Sequence, residues 1–172
     1  MFKRKLKEKG LITYKRGKWS KKDYKSKALE YRFVYPEEGS ATDKKTLISR
    51  DEPTCITDFQ YGLLSGVSCA VQYVPQEGTL PEGIDIDSLG RAMVDKMNEA
   101  ATDGQISTYH GVVEFAGKQC IHHSVRHNNN GVNMLFEFYG YNAPNCSIQF
   151  AFTCYNDNFA DLERLKQAFR EY

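Results

Sequence analysis

Residues 120–141 read CIHHSVRHNNNGVNMLFEFYGY. Three histidines crowd beside three asparagines, so the stretch is either a ligand cluster or two strands around a turn. Strand side chains alternate, which sends His123 and His127 to one face with Ile121 and Val125, and His122 to the other with Cys120, Ser124 and Arg126. At about 3.3 Å per residue, His123 and His127 stand about 13 Å apart, too far to share a metal ion at about 2 Å. Glu137 is the only good ligand on the following strand, and its parity puts it opposite the face of His123. Asn and Gly tolerate the left-handed backbone of a hairpin turn, so the stretch reads as a hairpin. A two-residue NG loop pairs Val125 with Phe136, and a four-residue NNNG loop pairs Val125 with Met134. Both keep the same faces together.

The same two-residue period extends in both directions. Strands are expected over 106–115, 119–127, 132–141 and 146–155, joined at AGK, NNNG and NAPN, and turns this short allow only antiparallel neighbours. In the last strand Cys146, Ile148, Phe150, Phe152 and Cys154 face one way. Ser147, Gln149, Ala151, Thr153 and Tyr155 face the other.

Upstream of this meander the period changes to about 3.6. Ile86, Leu89, Met93, Met97 and Ala100 fall on one helical face, with Asp85 or Asp87 as cap and Gly104 just past the end. Before it, GVSCAVQYVP reads as a strand with Val67, Cys69, Val71 and Tyr73 on one face, followed by the turn-rich QEGTLPEG. Residues 46–60 suggest short strand pieces at TLIS and CITDF around RDEP. LEYRFVYP is an aromatic strand that Pro36 ends. Downstream, NDNFADLERLKQAFREY is a helix capped by Asn158 or Asp157, carrying Phe159, Leu162, Leu165 and Phe169 on one face. The class is α+β, an antiparallel meander sheet sandwiched by helices.

At 172 residues and 41% apolar content, the chain is one domain with an appendage. A net charge of +1 conceals an asymmetry. Residues 1–27 hold twelve Lys/Arg against Glu8 and Asp23, and residues 28–172 hold eleven against twenty acids. The division is a basic N-terminal arm, 1–27, on an acidic body, 28–172. The arm carries Phe2, Leu6, Leu11, Ile12, Tyr14, Trp19 and Tyr24, more apolar content than an electrostatic tail needs, so part of it is expected to pack on the body. No apolar run approaches a membrane span, and MFKRKLKEKG has no apolar region of a signal peptide behind it, so a cytoplasmic location is expected. The five cysteines, Cys55, Cys69, Cys120, Cys146 and Cys154, lack metal-type spacing and read as reduced, mostly buried thiols.

The order of elements carries a resemblance. An aromatic strand ending in FVYP, a strand, the helix DIDSLGRAMVDKMNEA, a strand leading into VVEFAGKQCIHHSV, an aromatic hairpin and the terminal helix FADLERLKQAF together resemble the PsbP-like superfamily. That group holds the photosystem II extrinsic protein, a Ran-binding nuclear-import factor, and many bacterial lipoproteins and small soluble proteins. The likeness spans about residues 29–170 and departs from the family where YPEEGSATDKK lacks a Trp after YP. It implies an uncharacterised bacterial-type member with a PsbP-like domain over 28–172. It also implies a non-enzymatic binding, adaptor or chaperone-like module that recognises a protein partner.

Candidate chemistry is sparse. Cys120 and His122 lie on one strand face about 6.6 Å apart, with Arg126, Ser124 and Glu137 at hand. An oxyanion-hole motif is missing, and a Cys/His enzyme is the weakest of three readings. Glu82, Asp85 and Asp87 lack the ligand series of a calcium loop. No P-loop, dinucleotide fingerprint, GxSxG or HExxH occurs, so no catalytic residue, metal or cofactor is expected. Protein recognition by the sheet and loops, with Tyr139, Tyr141 and Tyr155 as contacts, is the leading reading. The alternative is nucleic-acid or anionic-surface binding by Lys15, Arg16, Lys18, Trp19, Lys21 and Lys22.

Overall fold

The computed structural model describes residues 14–75, 82–102, 104–143 and 146–172. The start of the basic stretch, most of QEGTLPEG, and Pro144 and Asn145 of the NAPN turn lie outside the described residues. Among the described residues, eleven strands form two sheets. A seven-stranded sheet has the order β4 (Gly39–Ala41), β5 (Ile56–Leu63), β6 (Ser68–Pro75), β10 (Cys146–Tyr155), β9 (Val132–Ala143), β8 (Lys118–Asn129), β7 (Gln105–Phe115). A four-stranded sheet has the order β1 (Lys18–Trp19), β2 (Asp23–Ser26), β3 (Tyr31–Val34), β11 (Phe169–Glu171). The helices are α1 (Lys44–Arg50), α2 (Ile86–Glu99) and α3 (Phe159–Ala168). Every pairing is antiparallel, and the fold is α+β.

The central hairpin turns on two residues. Asn129 pairs with Val132, so Asn130 and Gly131 alone reverse the chain, with φ of 51° and 82°. Two successive positive φ values define the turn whose twist matches a hairpin, and glycine takes the second without steric cost. The register sets Val125 opposite Phe136.

The main core lies between the two sheets and under α3. Tyr24, Tyr31 and Phe33 of the small sheet meet Phe59, Tyr61, Val71, Phe150 and Phe152 of the large one, with Leu162, Leu165 and Phe169 from the chain's last segment. Phe33 alone contacts Phe59, Tyr61 and Phe169 at ring-centroid distances of 5.0, 5.1 and 4.8 Å. Such pairs add roughly 0.5–1.5 kcal/mol each beyond area burial.

Several expectations need correction. TLIS belongs to α1, because the Asp43 carboxylate accepts from the Thr46 amide at 2.9 Å and the Thr46 hydroxyl at 2.6 Å, capping a turn that buries Leu47. The buried face of α2 centres on Gly90 and Val94, while Ile86 and Ala100 are exposed. A Cβ on Gly90 would lie 2.6 Å from the Tyr109 ring and 3.0 Å from Ile121, so the absent side chain sets which face of the helix approaches the sheet. In α3, Asn158 stands at the cap position without a side-chain cap bond, Phe159 is 42% exposed, and Phe169 is buried as the first residue of β11. The expected α+β class holds, with α1 and α2 on one face of the large sheet and α3 on the other. The four-stranded sheet supplies much of one cover, built in part from residues 18–26 of the basic stretch.

Candidate functional site: the outer face of the large sheet

The cross-strand register defines a row of side chains on the face turned away from the main core. It runs Gln60, Ala70, Ala151, Phe138, His123 and Tyr109 across β5, β6, β10, β9, β8 and β7. A helix stands at each end. Arg50 of α1 reaches the Gln60 amide at 3.5 Å, and Tyr109 donates its hydroxyl to Asp87 of α2 at 2.7 Å. Between them β6 and β10 present Ser68, Ala70, Gln72, Gln149, Ala151 and Thr153, all half-buried small or amide side chains. Beside this floor, β9 contributes Met134, Phe136 and Phe138, also half-buried. Among the described residues, α1 packs on β5 and α2 on β7 and β8, leaving β6, β10 and β9 without a helix on this face.

The spacing of this opening is informative. From β5 to the β7/β8 pair is four to five strand intervals of about 4.8 Å, or about 20 Å between the axes of α1 and α2. Helices pack about 8–10 Å apart. The floor therefore has the width of one further helix.

Of the three tyrosines expected as contacts, only Tyr155 belongs to this face, where it is half-buried and paired with Met134. Tyr139 is 6% exposed on the core side. Its ring is stacked between Phe115 and His122, each at a centroid distance of 4.2 Å. Tyr141 shares the core-side parity and lies with its ring 5.9 Å from the Lys118 ammonium. The parity signal that separates these residues was present in the sequence. The one that reveals Phe136 and Phe138 is the placement of α2, which depends on Gly90.

The core-side face of β8 and β9 carries a polar cluster. Glu137 accepts from Tyr139 at 2.7 Å, contacts His122 Nε2 at 2.7 Å, and accepts from Lys166 of α3 at 3.2 Å. Burial works to raise its pKa, but the hydrogen bonds from His122 and Tyr139 and the Lys166 charge outweigh it and hold the carboxyl at about 2. His110 Nε2 lies 2.7 Å from the Ser124 hydroxyl, and its ring lies tilted by 31° against that of His122 at 4.5 Å. Cys120, on the same side, is fully buried, and burial pushes its thiol up to about 11. Its sulfur contacts the Phe115 carbonyl, with no hydrogen bond to His122 among the described residues. A thiol in that setting is a packing group.

The basic stretch divides in two. The guanidinium of Arg16 is 2.6 Å from Asp51 and 3.0 Å from the Thr57 carbonyl, with its side chain 10% exposed. Trp19 is half-buried against Tyr24 at 4.6 Å. Lys15, Lys18, Lys21 and Lys22 are exposed.

No family model matches the chain, and no curated protein matches it. Among solved structures, the chain is similar to the solution structure of cyanobacterial PsbP (CyanoP) from Synechocystis sp. PCC 6803. The identity is 14% and the TM-score 0.49, over 94% of this chain and 99% of that one. It is also similar to a crystal structure from Bacteroides thetaiotaomicron VPI-5482, at 10% identity and a TM-score of 0.48, over 88% of this chain. There the match spans 48% of the other chain, about half its length. No described helix is long and apolar enough to cross a membrane.

Proposed function

We propose that this protein is a non-catalytic binding module that receives a helix of a protein partner on the outer face of β6, β10 and β9. The observation that carries the reading is the helix-wide gap between α1 and α2 over a floor of Ala70 and Ala151. Small residues let a helix approach a sheet closely, and the flanking Phe136, Phe138 and Met134 offer apolar contact along one side. Gln72, Gln149 and Thr153 keep the floor wetted when it is unoccupied. The exposed lysines of the basic stretch, with Arg16 and Trp19 engaged in the fold, are left as a secondary charged surface.

Photo-crosslinking from position 149 in the intact protein, followed by affinity capture, tests this reading. A specific crosslinked partner should be lost on Ala151→Arg and retained on Lys27→Glu, with unchanged thermal melting in both variants. Retention of the partner by Ala151→Arg at full strength would remove the outer face from consideration.

A further inference from the structure

The strand β7 forms one border of the large sheet, and it is built unlike the other borders. Among the described residues, β1, β4 and β11 end the sheets elsewhere and are two or three residues long, whereas β7 runs eleven residues and holds no Lys, Arg or Pro. Short length, lysine and proline are the usual means by which an edge strand avoids pairing.

Half of this edge is closed by the chain itself. The Asn98 side chain of α2 accepts from the Ser107 amide and donates to the Ser107 carbonyl, both at 2.9 Å, the pair of bonds that a neighbouring strand would make. Past a bulge at His110 the other half is open. Phe115 pairs with Lys118 across a two-residue turn, where Ala116 and Gly117 have φ of 49° and 76°. Phe115 therefore bonds to β8 and, by alternation, so do Val113 and Gly111. Val112 and Glu114 turn their N–H and C=O groups outward, and no described residue bonds to them. A Cβ placed on Gly111 would meet nothing within 4 Å, so the border is clear at that point.

The side chains beside the open half set what can pair there. A groove of about 330 Å³ runs between it and α3, with Val113, Phe115, His122 and Tyr139 along the strands and Lys166 and Gln167 on the helix. Lys166 is already paired with Glu137 and Glu163, and His122 with Glu137, so the groove offers apolar surface to an entering side chain. Glu114 alternates to the other face, where it is exposed and makes no ion pair among the described residues. It belongs to a body in which twenty acids stand against eleven Lys/Arg.

We infer that residues 111–115 accept an extended segment of a protein partner as an added antiparallel strand, with an apolar side chain opposite Val113 entering the groove and a Lys or Arg opposite Glu114. Main-chain bonds supply the hold, and the two side-chain positions supply the selectivity. A second copy of β7 fits less well, because it brings no Lys or Arg to Glu114. The edge is separate from the helix-receiving floor of β6, β10 and β9.

The test is a titration of the full chain with a capped Val-Thr-Lys-Leu-Thr-Val-Thr peptide, whose Lys, Leu and following Thr would meet Glu114, Val113 and Val112. At about ten times its Kd, amide hydrogen exchange at Val112 and Glu114 should slow about tenfold. The Val113 amide, already bonded to β8, should change little. Glu114→Lys alters an exposed side chain and should weaken this peptide about threefold while strengthening one with Glu in place of Lys, the range of a cross-strand charge pair. Glu99→Lys, at the end of α2, should leave both peptides unchanged. Equal effects of the two substitutions would reduce binding to general charge attraction and overturn the site. So would absence of binding, or protection confined to other amides. Protection of Val112 and Glu114 on raising protein concentration without peptide would give the edge to a second copy and overturn the proposal too. N-methylation of the peptide at its Lys and the following Thr removes the donors that an added strand needs, so full-strength binding of that peptide would rule the strand out.

Discussion

The Tyr24 hydroxyl meets the Asp58 carboxylate at 2.8 Å inside the main core. Tyr31 donates to the other carboxylate oxygen, and Tyr14 adds a third phenol. Asp58 reaches the core because β5 is bulged there: Thr57 pairs with Gln72 and Phe59 with Val71, so both Asp58 and Phe59 turn inward. With no cation beside it among the described residues, burial pushes the Asp58 carboxyl well above the usual carboxylate range, and the group fastens Tyr14 and Tyr24 of the basic stretch to the body.

Removing that acceptor should be costly. Asp58→Ala removes the acceptor of the buried Tyr24 and Tyr31 phenols, leaving Tyr24 only the Gly17 amide that donates to it at 2.9 Å, and urea unfolding should show a loss of about 2 kcal/mol. Asp58→Asn keeps an acceptor and should lose less. A stability within about 0.5 kcal/mol of wild type for Asp58→Ala would show that the phenols do not depend on it.

His123 predicts a pH dependence of opposite origin. Burial, reinforced by the nearby His122 and His110, lowers its pKa to about 4, and its ring stacks on Phe138 at 4.8 Å. The unfolded chain takes up the proton near pH 6.5, and the folded protein resists until about pH 4. Stability therefore falls as pH drops through that window, by about 1–3 kcal/mol. His123→Phe should flatten this part of a stability profile measured by denaturant titration. A profile of unchanged slope would assign the effect elsewhere.

Gly90→Ala should lift α2 from the sheet. The added methyl would meet Tyr109 at 2.6 Å, and overpacking of this kind costs about 1–3 kcal/mol. Thermal melting measures the loss, and hydrogen exchange should rise along β7 more than along β6. A uniform rise over both strands would contradict the local origin.

Thiol labelling of the native protein should modify Cys55 first. It alone of the five is half-buried, whereas Cys69, Cys120, Cys146 and Cys154 are buried. Its own thiol is raised by burial and then by Glu52 and Asp51, so labelling should be slower than for a free thiol. Cys120 reacting ahead of Cys55 would restore it as a candidate nucleophile.

How much of this was legible in the sequence depended on which interactions set each element. The meander was readable because its period is strict and because the Asn130 and Gly131 pair selects a two-residue turn. The choice between pairing Val125 with Phe136 or Met134 then required only the turn's length. Residues 46–50 misled because their β-branched and apolar side chains suit a strand, while the Asp43 cap that starts the helix is a local hydrogen bond with no period. The small sheet was hidden because its buried positions include Asp23 and Ser26, polar groups satisfied by Arg32, Ser20 and backbone neighbours. The candidate outer face was the least visible. Tyr155 differs in parity from Tyr139 and Tyr141, but the uncovered strip of β6, β10 and β9 exists only through the positions of α1 and α2.

The pairing of β11 with β3 has a consequence for how the chain is made. Phe169 lies opposite Phe33 and Glu171 opposite Tyr31, so the last described strand completes a layer begun by some of the first. During synthesis β3 must wait for nearly all of the body to emerge before that neighbour arrives. Contacts so distant in sequence carry a heavy loop-closure cost, and sheets built from them form slowly. Until then Tyr31 and Phe33 lack one of their neighbours, Phe169. A nascent chain stalled before residue 169 should therefore display these rings to quality-control factors, and release of the finished chain should end that display.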